Sequence, residues 1–220
     1  MILDLGLTDY EAAYKVQREF VHRRRLGEIE DSVIFTEHKP VFTIGRMGSI
    51  DNLLVGLELL EKSGIKVINV DRGGDITFHG PGQMVFYPII DLGLRKKDLH
   101  QYLREIEESV IGFLSEYGIT SGRSDGKTGV WVKAAKIASI GVAARDWITY
   151  HGAAVNLNVD LDFFSMINPC GMKDIEVTSL AAILKKNVNI AEAKEKMLAK
   201  LGNIFNLGEI NFAERSGLLA

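Results

Sequence analysis

The chain has 220 residues, 46% hydrophobic and 25% charged, with 26 Lys and Arg against 29 Asp and Glu and a single cysteine. That apolar fraction is too high for a disordered chain, and a net charge of -3 carries no basic excess of the kind nucleic-acid recognition needs. One thiol can neither close an intramolecular disulfide nor build a multi-cysteine zinc site, so Cys170 is either a small core hydrophobe or a reactive centre.

Asp4, Asp9 and Glu11 interrupt any apolar core that a signal peptide would need, and no window approaches the ~20 apolar residues of a membrane span. A cytoplasmic protein without nucleic-acid or membrane partners is the expectation. No Gly/Ser run, low-complexity tract or repeat divides the chain. One domain over residues 1–220 is expected, with about 178–220 as a C-terminal helical portion.

Residues 9–27 place Ala12, Ala13, Val16, Phe20 and Val21 on one helical face, with Asp9 as a candidate cap. A short buried strand is expected at 32–37, strand or extended loop at 40–45, and an alternating strand at 65–71. Another strand is expected at 84–91, where Pro88 suggests an edge or a bulge. The spacing of Leu99, Tyr102, Leu103, Ile106, Val110, Phe113, Leu114 and Tyr117 predicts a helix over 98–118, stopped by Gly118. Strand patterns follow at 129–133, 136–145 and 147–159, then helices near 178–186 and 190–206. This order gives a mixed α/β or α+β sheet domain without regular βαβ alternation.

Four segments hold the candidate chemistry. The first, RGGDITFHGPGQ at 72–83, contains four glycines that let backbone N–H groups approach a ligand. Its spacing is not a nucleotide-binding one, and a tight hairpin loop is the plainer alternative. The second, 126–141, contains Lys136 at the head of a small, apolar run. Desolvation there would favour a neutral amine able to act as a base, although a snorkelling lysine fits the composition as well. The third, YHGAAVNLNV at 150–159, follows His151 with small residues that could wall an apolar slot or pack against a helix. The fourth, INPCGM at 167–172, clamps Cys170 between Pro169 and Gly171, as on a sharp turn that presents a sulfur to a cleft.

All five histidines precede Cys170, which excludes the Cys-before-His order of papain-like enzymes. No set of residues has metal-ligand spacing, so no metal is expected. The cluster His22, Arg23, Arg24, Arg25 suits a helix C-terminus, with an acidic protein partner as the other reading.

Taken together and in order, these four segments resemble the lipoyl(octanoyl) transferase family, from about Val33 to Leu180. The resemblance implies the fold of biotin and lipoate protein ligases, a central mixed β-sheet flanked by helices. It implies octanoyl transfer from octanoyl-acyl carrier protein to a lysine of lipoyl domains in 2-oxoacid dehydrogenases and the glycine cleavage H protein, without a cofactor. Cys170 then matches the acyl-accepting nucleophile and Lys136 the lysine that activates it. Arg72, Gly73, Gly74, Asp75, Ile76, Thr77, Phe78 and His79 match acyl-binding walls, as do Ser139, Ile140, Gly141, Gly152, Ala153 and Ala154. His151 stands as a further candidate. Two positions depart from the family: Phe78 replaces a more frequent Tyr, and Ala153 a bulkier Phe or Leu, which would deepen the pocket. Two other readings are an ATP-dependent lipoate ligase, which needs an adenylate site, and a non-catalytic carrier-binding module.

Overall fold

The computed structural model describes residues 1–168 and 175–207. The N-terminal half contains β1 (Ile2–Thr8), α1 (Tyr10–Arg25), β2 (Ser32–His38), β3 (Val41–Ile44), α2 (Leu57–Lys62), β4 (Lys66–Asn69), β5 (Ile76–His79) and β6 (Gln83–Ile89). The remainder contains α3 (Leu99–Ser115), β7 (Gly122–Ser124), β8 (Lys127–Val132), β9 (Ala135–Arg145), β10 (Ile148–Asn156), α4 (Leu180–Leu184) and α5 (Ile190–Phe205).

Seven strands form one sheet in the order β1-β2-β6-β10-β9-β8-β7, and β4-β3-β5 form a smaller second sheet. The large sheet is mixed: β1 runs parallel to β2, and the other neighbouring strands among the described residues pair antiparallel. Strand alternation sends successive residues to opposite faces. On one face Phe86, Ile140, Ala153 and Val155 pack with Tyr102, Ile106 and Phe113 of α3 and Met197, Leu201 and Phe205 of α5. On the other, Val85, Tyr87 and Ala154 pack with Ala13, Val16 and Phe20 of α1. The small sheet closes its own core through Phe42, Ile76, Phe78 and Phe164.

The expected helices at 9–27 and 98–118 are present as α1 and α3. Asp98 caps α3, its side chain accepting from Gln101 N–H at 3.0 Å. Asp9 occupies the corresponding position of α1, but its side chain makes no capping bond and instead pairs with Lys39 Nζ at 3.0 Å. Pro88 corrects a second expectation. It lies in β6, between β2 and β10, and is not on an edge. Pairing with β10 runs from Gln83 to Phe86 and stops short of Pro88, so the missing N–H breaks no rung there. Thr149 Oγ1 and Tyr102 Oη donate to its carbonyl instead. Four elements went unanticipated: β1, α2, β5 inside the glycine-rich segment, and β7. No helix among the described residues is long and apolar enough to cross a membrane.

Candidate active site

Where β9 passes Ala138 it loses β8 as a neighbour. The freed edge is taken by the 72–74 turn, whose Gly73 N–H donates to Val142 O at 2.9 Å. A cavity of about 640 Å³ opens along this junction, within the range of small-molecule sites. Arg72, Gly73, Gly74, Asp75, Ile76, Thr77 and His79 line it from the glycine-rich segment. Lys136, Ser139, Ile140 and Gly141 line it from β9, and His151, Gly152, Ala153 and Ala154 from β10. Three of the four stretches singled out in the sequence therefore share one cavity. Phe78 is the exception: it is fully buried in the small-sheet core, its ring stacked on Phe163 at 4.3 Å. A hydroxyl at that position would thus meet the satellite core before it met an acyl chain. Cys170, with Pro169 and Gly171, lies outside the described residues.

Lys136 is only 5% exposed, so the snorkelling reading does not describe it. Its Nζ stands 5.2 Å from the centroid of the Trp131 ring. Gly129, with φ +141°, leaves room for the stem: a Cβ there would stand 2.8 Å from Lys136 Cε and 2.7 Å from Ala138 O. The Gly129 N–H donates to Oε1 of buried Glu107, whose Oε2 is held by Arg104 and Arg123. The backbone of Lys136 is pinned on both sides of residue 177. Its N–H donates to Glu176 O at 2.8 Å, and its carbonyl accepts from Thr178 N–H at 2.9 Å.

Beneath the apolar walls runs a polar layer that motif reading did not find. Asp71 accepts from His151 Nε2 (2.8 Å), Tyr150 Oη (2.6 Å) and Tyr14 Oη (3.1 Å). These bonds, the one from His151 foremost, hold its carboxyl well below the usual carboxylate range. Burial outweighs Asp71 at His151 and keeps the imidazole below its ordinary pKa, so neutral His151 donates through Nε2 and offers Nδ1 to Tyr10 Oη at 3.4 Å. The His151 backbone is held at φ +56° and donates its N–H to Gln17 Oε1, a fixed left-handed conformation for a residue with a side chain. His38 donates Nδ1–H to Thr8 O and accepts the Tyr87 hydroxyl at 2.6 Å, and burial pushes it down to about 4. His79 is likewise driven well below its ordinary value by burial.

Tyr10, Tyr14, His38, Asp71 and Tyr87 thus form a layer beside the cavity that sequence reasoning missed, as it missed the buried pair Gln83 and Asn156, whose amides are bonded to each other at 3.0 Å. Most of their partners lie tens of residues away in the chain, Tyr87 standing 49 positions after His38 and His151 80 positions after Asp71. Asp71, Gln83 and Asn156 do abut or fall inside the quoted motifs. The basic cluster at the end of α1 is internally paired: Arg24 bridges Asp31 and Asp91, Arg25 meets Asp146, and Arg23 meets Glu28. Among the described residues no group of three or more His, Cys, Asp or Glu could hold a metal.

Residues 9–202 match a family model described as the lipoyl protein ligase A/B catalytic domain. An octanoyltransferase of Geobacter metallireducens is 43% identical over 200 residues, covering 91% of each chain. Another, from Thermoanaerobacter sp. (strain X514), is 44% identical over 214 residues, 97% of this chain and 92% of its own. Among solved structures, a bi-partite lipoate protein ligase of Thermoplasma acidophilum, described with its E2 lipoyl domain, superposes with a TM-score of 0.75. That likeness covers 97% of this chain and 87% of the other at 17% identity, and shows the shared ligase-like fold.

Proposed function

Since this chain belongs to the lipoyl protein ligase A/B catalytic-domain family and matches octanoyltransferases over nearly its whole length, we propose that it transfers octanoyl through a thioester on Cys170 set up by Lys136. Octanoyl transfer in protein lipoylation is its activity, and lipoyl domains are its acceptors. We read residues 1–220 as one catalytic domain that takes its acyl group in the cytoplasm from octanoyl-acyl carrier protein. The acceptors named by this reading are the lipoyl domains of 2-oxoacid dehydrogenases and the glycine cleavage H protein.

The observation that carries this reading is the placement of Lys136. A buried amine opens onto an apolar cavity, and its backbone is bonded to residues 176 and 178, a few positions beyond Cys170. In the first half-reaction the Lys136 amine takes the Cys170 proton, and the thiolate attacks the octanoyl thioester carbonyl. The new C–S bond forms, the carrier's C–S bond breaks, and the departing carrier thiolate recovers the proton from Lys136. In the second, the acceptor lysine attacks the Cys170 thioester. A C–N bond forms, the enzyme's C–S bond breaks, and the amine's proton returns to the sulfur directly or through Lys136. Splitting the exchange avoids crowding two protein carriers around one carbonyl. A thioester enters and an amide leaves, so no nucleotide is consumed. Gly152, Ala153, Ala154, Ile140 and Gly141 supply the low walls along which the chain lies.

Intact mass after mixing the protein with octanoyl-acyl carrier protein tests this. A single hydroxylamine-sensitive octanoyl adduct that vanishes in Cys170→Ala is the expected result. An adduct that persists in Cys170→Ala overturns it, and dependence of transfer on octanoate plus ATP would instead establish the ligase reading.

A further inference from the structure

A directional chain of side chains joins the acyl-binding loop to the backbone of Lys136. Gln83 Nε2 donates to Phe78 O at 3.2 Å and to Asn156 Oδ1 at 3.0 Å, which leaves Oε1 as its acceptor end. Oε1 accepts a hydrogen bond from His79 Nδ1–H at 2.8 Å. Neutral His79 then offers Nε2 to the Thr43 hydroxyl at 3.2 Å, and Thr43 Oγ1 accepts from Arg72 Nη2 at 2.9 Å. In the other direction Asn156 Nδ2 donates to Thr178 O at 3.0 Å, and Thr178 N–H donates to Lys136 O. Each link fixes the polarity of the next.

Asn156 is the junction. It is 4% exposed, lines the cavity at the end of β10, and spends both ends of its amide within this chain. A buried amide must be paired, since an unmade bond costs the full desolvation of the group. Its Nδ2 bond fixes Thr178 against β10. Thr178 and Glu176 in turn clasp Lys136 from either side of Val177, which pairs with it in a parallel bridge. A shift of this segment therefore moves Lys136 relative to the cavity wall, although Asn156 is not bonded to the lysine.

We propose that Asn156 is a positioning residue for the transfer reaction: acting through Thr178, it holds Lys136 in register with the Arg72–His79 acyl-binding wall. The proposal rests on the reading of Lys136 as the group that activates Cys170. Its effect falls on proton transfer at the dyad and leaves acyl binding nearly intact.

The test compares the full-length wild type with Asn156→Asp, Asn156→Ala and Lys136→Ala. The rate of octanoyl-enzyme formation from octanoyl-acyl carrier protein is measured as a function of donor concentration and pH, with thermal unfolding recorded for each protein. Asn156→Asp keeps the acceptor for Gln83 and loses the donor to Thr178. It is expected to lower kcat about tenfold near neutral pH with KM within about twofold, one lost hydrogen bond being of that order. Its pH-rate midpoint should rise toward the ordinary thiol range, so that raising the pH restores much of the rate. A loss that is uniform across pH, or one that falls on KM, overturns the proposal. Should Asn156→Ala fail to fold, the near-isosteric Asp variant carries the same readout. If Lys136→Ala leaves the midpoint unmoved, the dyad reading itself fails. If Lys136→Ala moves it and the Asn156 variants do not, only the positioning role is lost.

Discussion

His38 is the clearest place to test the electrostatics of the layer beneath the cavity. Its ring is fully buried between Thr8 O and the Tyr87 hydroxyl, and burial lowers its pKa from 6.5 to about 4. The folded protein therefore refuses a proton that the unfolded chain accepts below pH 6.5. Stability contributed by the neutral ring is complete above that pH and is lost as the pH falls toward 4. At about 1.4 kcal/mol per pH unit, the loss across this window is about 3 kcal/mol, a large share of a typical domain stability of about 5–15 kcal/mol. His38→Gln keeps a donor and an acceptor at the site but does not titrate. Urea unfolding at pH 7, 5.5 and 4.5 should show the wild type losing about 2 kcal/mol more than the variant between the two ends, the rest of the loss falling below pH 4.5. His79 and His151 remain in both proteins, so the difference belongs to His38. Parallel stability curves for the two proteins would refute the reasoning.

Gly152→Ala would drive a Cβ into Phe86 O and to 2.8 Å from Pro88 Cδ, so it should cost about 2 kcal/mol or more. A fall in Tm of about 4–8 °C is expected, and an unchanged Tm contradicts the close approach of β6 and β10. Ala153→Leu fills the wall shared by Ile140 and Phe86 and should shift preference toward shorter acyl donors. Octanoyl kcat/KM is expected to fall about tenfold or more while hexanoyl loses less, and equal losses would place Ala153 off the chain's path. Glu107→Ala leaves the Gly129 N–H without its acceptor and Arg104 and Arg123 without their shared carboxylate. Denaturant titration should register a loss of about 2 kcal/mol; no change would remove Glu107 from the support of β8.

Amphipathic α1 and α3 were legible because their apolar residues recur at helical spacing over four or more turns. Five of the seven strands of the central sheet, β2, β6, β8, β9 and β10, were legible as apolar runs rich in β-branched, aromatic or small residues. β5 was hidden because ITFH is four residues long and framed by glycines, which reads as loop until β3 pairs with it. β1 was hidden for another reason: Leu3, Leu5 and Leu7 alternate with Asp4 and Gly6, but leucine, aspartate and glycine are weak strand formers, and the parallel pairing with β2 comes from a neighbour across α1. Pro88 misled because an edge position is only one way to excuse a missing donor; here β10 turns aside at His151 instead. Within the site, glycines and small residues marked the walls of the cavity. The layer built on Asp71, His38, Tyr10 and Tyr87 carried no local pattern, since each of its bonds joins segments distant in sequence and depends on the completed sheet.

The most direct test of the account is a chase of the isolated acyl-enzyme. Protein carrying one octanoyl group, freed of carrier protein and nucleotide, is mixed with an unmodified lipoyl domain, and both chains are weighed over time. The account predicts that the octanoyl mass leaves the enzyme as an equal amount appears on the acceptor as a hydroxylamine-resistant amide. An acyl-enzyme that hydrolyses or persists while the acceptor stays unmodified would contradict a covalent intermediate on Cys170.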